Sequence, residues 1–158
     1  MDKIIPFARF VSLRKSIDKR IVLVGGCFDV FHYGHLTYLK KAKQQGDLLV
    51  VLLESDEAIQ AKKKQATIHN QEERAEILAA IEDVDYIIPL DFLKSDQEYT
   101  KVVEEIKPTI IAVTEGDPQL INKKQQAKTV GGEVIVVTPL IKKFSSTKIK
   151  NYASISSN

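Results

Sequence analysis

Five short runs of Val, Ile and Leu punctuate the chain: residues 20–24 (RIVLV), 48–53 (LLVVLL), 86–88 (YII), 109–113 (TIIAV) and 133–137 (EVIVV). They are nearly continuous in apolar residues rather than alternating, the pattern of strands covered on both faces. Helical patterning fills the intervals. Residues 34–45 set Leu36, Leu39 and Ala42 at helical spacing, and Gly46 stops that helix. Asn70 with Glu73 forms a capping-box sequence ahead of Ala75, Leu78 and Ile81. Residues 98–106 and 120–128 read as two further crossovers, Gly131 and Gly132 turn the chain into the last strand, and a final helix is predicted to begin near 145–147. Residues 1–19 form an N-terminal extension in which 7–15 predict a short amphipathic helix, packed on the domain or on a partner. Residues 20–153 make the domain, and 154–158 a frayed, serine-rich tail. The alternation predicts a Rossmann-like α/β fold: an open, parallel, five-stranded sheet with helices on both faces. Such sheets bind ligands beyond the carboxyl ends of their strands, where the strand order switches.

Composition narrows the class. The chain has 158 residues, 44% hydrophobic and 28% charged, as expected of one globular domain. A net charge of +2 gives no basis for a nucleic-acid or membrane partner. Cys27 is the only cysteine, so no internal disulfide exists and a reducing, cytoplasmic setting is expected. No stretch has the length needed to cross a bilayer, and the N-terminus lacks the pattern of a signal peptide.

The densest chemistry follows the first strand: Gly25-Gly26-Cys27-Phe28-Asp29-Val30-Phe31-His32-Tyr33-Gly34-His35. Glycines let a backbone approach a ligand closely. A new helix aims unpaired N–H groups and a positive dipole end at that ligand. Two histidines at the same mouth add side-chain donors, a combination suited to a triphosphate. A zinc site would need three or four ligands, and Cys27 and His69 stand at no recognisable ligand spacing, so no protein-borne metal site is expected.

This stretch resembles the G-x-F-D-x-x-H-x-G-H signature of the cytidylyltransferase-like nucleotidyltransferases, which include glycerol-3-phosphate cytidylyltransferases and heptose-1-phosphate adenylyltransferase domains. The likeness continues through Gly46-Asp47, Glu54-Ser55-Asp56, Glu73-Arg74, Val84-Asp85, Gly116-Asp117 and the run from Ser145 to Lys150. The resemblance implies attack by a substrate phosphate on the α-phosphorus of CTP or ATP, with release of pyrophosphate. It implies His32, His35 and Lys63 as catalytic, with Lys63 taken from the basic loop Lys62-Lys63-Lys64. Gly26, Cys27, Phe28, Gly34, Gly116, Asp117, Ser145, Ser146 and Thr147 would bind the nucleotide, and Asp29 and Arg74 the substrate. Cys27 reads as a small filler, not a nucleophile.

Mg²⁺ is expected to arrive with the triphosphate, and the resemblance implies an oligomer, most often a homodimer. The sequence also departs from the family. The glycerol-phosphate enzymes carry an Arg-Thr-Glu-Gly element where this chain reads Leu140-Ile141-Lys142-Lys143, and Pro118 stands where an aromatic residue often follows Gly-Asp. Both departures leave CTP and ATP open as donors. Two other classes stand beside the enzyme forming an NDP-linked sugar or polyol: an adenylyltransferase acting on FMN, and an inactive nucleotide-binding regulator.

Overall fold

The computed structural model describes residues 2–139 and 145–156. Its elements run α1 (Phe7–Arg14), β1 (Ile21–Gly26), α2 (Tyr33–Lys43), β2 (Leu48–Leu53), α3 (Asp56–Lys63), α4 (Gln71–Ala79), β3 (Tyr86–Pro89), α5 (Asp96–Ile106), β4 (Ile110–Thr114), α6 (Leu120–Thr129), β5 (Glu133–Thr138) and α7 (Ser146–Ser156). The five strands form one parallel sheet in the order β3-β2-β1-β4-β5. The order reverses between β1 and β4. Pairing there covers only Val22–Ile110 and Leu23–Ile111, whereas β1 pairs with β2 as far as Gly26–Leu53. The carboxyl ends of β1 and β4 therefore part, which opens a crevice at the switch point.

The continuous apolar strands are explained by two cores, one per face. Leu23, Val50, Leu52 and Ile88 pack with Phe10, Val103, Ile106 and Ala127 on the α1, α5 and α6 side. Val22, Val24, Leu49, Val51 and Ile87 pack with Leu39, Ala42, Ala75 and Leu78 on the α2 and α4 side. Burial of this kind, at roughly 25 cal/mol per Å² of apolar surface, is the main force holding the layers.

The N-terminal segment is part of the domain rather than an appendage. Ile4 bridges Ile87 in parallel, Ile5 and Phe10 are buried, and Arg14 donates to the carbonyls of Ile106 and Lys107. Three expectations need correction. Residues 62–64, read as a loop, are the end and cap of α3, a two-turn helix whose buried residues are only Ala58 and Ile59. Residues 154–156, read as tail, continue α7, and the stretch 140–144 lies outside the described residues. Gly46 does not end α2 through a left-handed cap: Gln44 caps it in the right-handed region. Glycine is needed at 46 because a Cβ there would lie 2.7 Å from Val22 Cγ2 and 3.0 Å from the Arg20 carbonyl.

Candidate functional site

The loop leaving β1 is strained and pinned from below. Phe28 and Val30 both adopt left-handed backbone, with φ of 51° and 52°. That conformation costs each of them on the order of 1–3 kcal/mol and persists only where surroundings impose it. Two buried side chains impose it here. The Asp29 carboxylate, 1% exposed, accepts from the amides of Ile68 and His69, both at 3.0 Å, and pairs with Lys150 Nζ at 2.5 Å. Burial disfavours its charge, but Lys150 and the two amides outweigh that and hold its pKa below the usual carboxylate value. The Arg74 guanidinium, fully buried, donates to the Cys27 carbonyl at 2.7 Å, the His69 carbonyl at 3.1 Å and Asp56 Oδ1 at 2.7 Å.

Asp29 and Arg74 were expected to touch substrate. Neither is among the residues that line the two cavities at this end of the sheet, and the polar atoms of both are engaged in holding the loop. The ionic partner of Arg74 is Asp56. No sequence pattern distinguishes an arginine facing a ligand from one packed beneath the ligand's loop.

The loop delivers two histidines to the start of α2. His32 is the N-cap, its Nδ1 accepting from the amides of Gly34 at 3.1 Å and His35 at 3.4 Å. His35 returns the bond, its Nδ1 accepting from the His32 amide at 3.3 Å. Backbone N–H groups at both Nδ1 atoms fix the neutral tautomer with its proton on Nε2. The rings stack with centroids 3.8 Å apart, and Phe28 and Phe31 pack on His35. Burial lowers the pKa of His32. Burial, then the repulsion that a protonated His32 and Lys63 would exert, lowers that of His35 to about 3. Both rings are thus neutral hydrogen-bond donors near pH 7. Capping and facing the cavity are compatible because they use different nitrogens.

A cavity of about 310 Å³ lies over this helix start. Gly26, Cys27, Phe28, His32, Gly34 and His35 form one wall, and Ser145, Ser146 and Thr147 at the start of α7 form another. Ser145 caps α7 by accepting from the Lys148 amide, and Ser146 donates to the Asp29 carbonyl, tying the two walls together. Of the three basic residues, Lys63 lines this cavity. Lys62 pairs with Glu54 at 3.2 Å, and Lys64 is the left-handed cap of α3. Burial raises the pKa of the Cys27 thiol, so it carries little thiolate at neutral pH.

Gly116 and Asp117 follow β4 as expected, but neither lines the cavity; that place is taken by Thr114. The Asp117 carboxylate is instead engaged with Lys123 at 2.6 Å and the Gln119 amide at 2.8 Å. Sequence reasoning also missed Tyr38, whose hydroxyl donates to the Ala112 carbonyl, and Thr138, at the end of β5. The Thr138 hydroxyl is buried, lines the cavity and has no hydrogen-bond partner among the described residues. A buried hydroxyl without a partner is costly, which fits a ligand that supplies one.

Depressed histidine pKa values have a consequence for stability. The unfolded chain takes up a proton at His35 below about pH 6.5, while the folded chain resists until about 3. Stability therefore falls as pH drops through that window. Acidification from pH 7 to about pH 5 is expected to remove about 1–2 kcal/mol. Urea unfolding at the two pH values tests this, and His35→Gln should flatten the slope.

Comparison with known proteins identifies the family and the fold. The model of the cytidylyltransferase-like family matches residues 23–158. The bifunctional protein HldE of Geobacter metallireducens is 36% identical over 134 residues, and that of Geotalea uraniireducens 37% over 134. Each alignment covers 83% of this chain but 26% of the relative, so the chain spans about a quarter of these proteins' length. A lipopolysaccharide core biosynthesis protein from Thermoplasma volcanium superposes with a TM-score of 0.61 at 26% identity, over 77% of this chain and 96% of that one. Pantoate-beta-alanine ligase from Francisella tularensis shares the fold, with a TM-score of 0.68 at 20% identity, over 100% and 79%. The fold and the family match together define a nucleotidyltransferase domain. The chain belongs to the cytidylyltransferase-like family.

Proposed function

We propose that the protein transfers the nucleotidyl group of CTP or ATP to a phosphorylated sugar, polyol or related alcohol and releases pyrophosphate. The observation that carries this reading is the neutral, stacked histidine pair whose Nδ1 atoms are held by backbone, at a cavity closed on its other side by the hydroxyls of α7. An acceptor phosphate is already an anion, so the residues need not remove a proton from it. Their work is alignment and stabilisation of charge on the transferring phosphorus and the departing pyrophosphate. His32 and His35 would donate to the phosphoryl oxygens. Ser145–Thr147, the amides at the start of α7 and Lys63 would hold the outer phosphates. Mg²⁺ would be carried on the triphosphate. When bound, Mg²⁺ would neutralise charge on the leaving phosphates.

The same reading takes the protein to be cytoplasmic and homodimeric, without a nucleic-acid or membrane partner. No helix among the described residues is long and apolar enough to cross a membrane. The test is pyrophosphate release from each NTP with Mg²⁺ and a panel of sugar, polyol and flavin phosphates. Turnover with a sugar or polyol phosphate is expected, whereas turnover with FMN alone would reassign the acceptor. Tight nucleotide binding with no turnover for any pair would make the protein a nucleotide-binding regulator instead.

A further inference from the structure

Helix α7 and its cap supply the hydroxyl wall of the cavity, yet the hydrophobic layers do not hold that helix. Among its described side chains none belongs to either core, and Thr147, Lys148, Asn151 and Tyr152 are exposed. We propose that Lys150 is the positioning residue that seats α7: its ion pair with Asp29 fastens the helix to the histidine loop and so sets Ser145–Thr147 over the outer phosphates of a bound triphosphate. This rests on the nucleotidyl-transfer reading and adds to it the residue that assembles one wall of the site.

The seat is a buried socket built before the helix arrives. Asp29 is fixed by the Ile68 and His69 amides, one on each carboxylate oxygen. Lys150 Nζ then meets Asp29 Oδ2 at 2.5 Å, with side chains 9% and 1% exposed. Water cannot stand in for the ammonium at so buried a carboxylate, so the socket selects a cation. Ser146, one turn earlier on the same side of α7, donates to the Asp29 carbonyl and lies 3.5 Å from that of Val30. A single turn of α7 thus grips two successive residues of the histidine loop.

The weak packing gives this grip its leverage. A helix of 11 residues is marginal in water by itself, so α7 is ordered only as far as it is docked. Undocking would take Ser145, Ser146 and Thr147 from the cavity but leave the opposite wall in place. That wall has its own supports: the Arg74 bond to the Cys27 carbonyl and the mutual caps of His32 and His35. Loss of the seat therefore lowers the fraction of molecules competent to hold the outer phosphates, and apparent affinity falls by that fraction. A saturating triphosphate would dock the helix again, so KM bears more of the loss than kcat. Direct attraction between Lys150 and the nucleotide is small, because Asp29 neutralises its charge in place.

Lys150→Met removes the ammonium and keeps the aliphatic stem. Parent and variant, both as the full chain, are titrated calorimetrically with pyrophosphate, CTP and ATP in Mg²⁺, and their amide exchange is followed residue by residue. The variant should bind pyrophosphate and its preferred triphosphate about tenfold more weakly, with KM raised to match and kcat within about threefold of the parent. Amides 148–154 should exchange faster in the variant, and those of β1 and β2 at the parent's rate. Lys150→Arg, which keeps a cation for Asp29, should recover most of the affinity. Unchanged affinity in Lys150→Met would overturn the proposal, as would a loss falling on kcat alone. Weaker binding with α7 as protected as before would make Lys150 a charge acting at a distance. Faster exchange across β1 and β2 as well would make it a support of the whole fold, and either result defeats the positioning role. Failure of the parent itself to bind pyrophosphate or either triphosphate would overturn the underlying reading instead, so the two failures are separable.

Discussion

His35→Ala is expected to lower kcat by roughly a hundred- to a thousand-fold, the scale seen when one preorganised donor to a developing oxyanion is removed. The ring is immobilised before any ligand arrives: Nδ1 is held by the His32 amide, and Phe28 and Phe31 pack on it. Its donor therefore needs no reorganisation when charge grows on the phosphorus. Alanine removes that donor and also one bond of the helix cap. The cap loss costs about 1 kcal/mol, so a folded variant should be recovered with a melting temperature only several degrees lower. Pyrophosphate release and thermal melts measured on one preparation check both halves. Near-parental turnover in a folded variant would refute the role. His32→Ala combined with His35→Ala should cost less than the product of the two single losses, because the pair acts as one donor unit.

Arg74→Met is expected to destabilise the fold by roughly 3 kcal/mol, through loss of a buried clamp rather than loss of a ligand contact. Methionine keeps much of the stem volume but leaves the Cys27 and His69 carbonyls without their donors. Asp56 is 42% exposed and can be rehydrated, so the two carbonyls dominate the cost. Arg74→Lys should recover little, because an ammonium cannot span three acceptors that the planar guanidinium reaches together. Urea unfolding measures the loss. If the variant is as stable as the parent and weakens only acceptor binding, Arg74 is a substrate contact after all.

Much of the architecture was legible because it follows from local rules. Five apolar runs on a parallel sheet cannot bury both faces without helices on each side. The Asn70–Glu73 box caps α4 as its sequence requires, with Glu73 Oε2 accepting from the Asn70 amide at 3.0 Å. The histidine loop was legible because its contacts are sequential: His32 and His35 bond each other's amides within four residues. Helix α3 was overlooked because two turns with two buried residues barely raise a helical period, although its cap, Ser55, was present.

What the sequence determined by itself was the strand–loop–helix unit that sets two histidines at a helix start, and the alternation that makes the sheet parallel. Tertiary structure alone decided which charged groups are engaged in holding the loop. Asp29 meets Lys150 across 121 positions of chain, and Arg74 reaches back to Cys27 across 47. Such pairings depend on where α4 and α7 dock, which no local pattern encodes. The splaying of β1 from β4, which creates a cavity on each side of Gly25, is likewise a property of the assembled sheet.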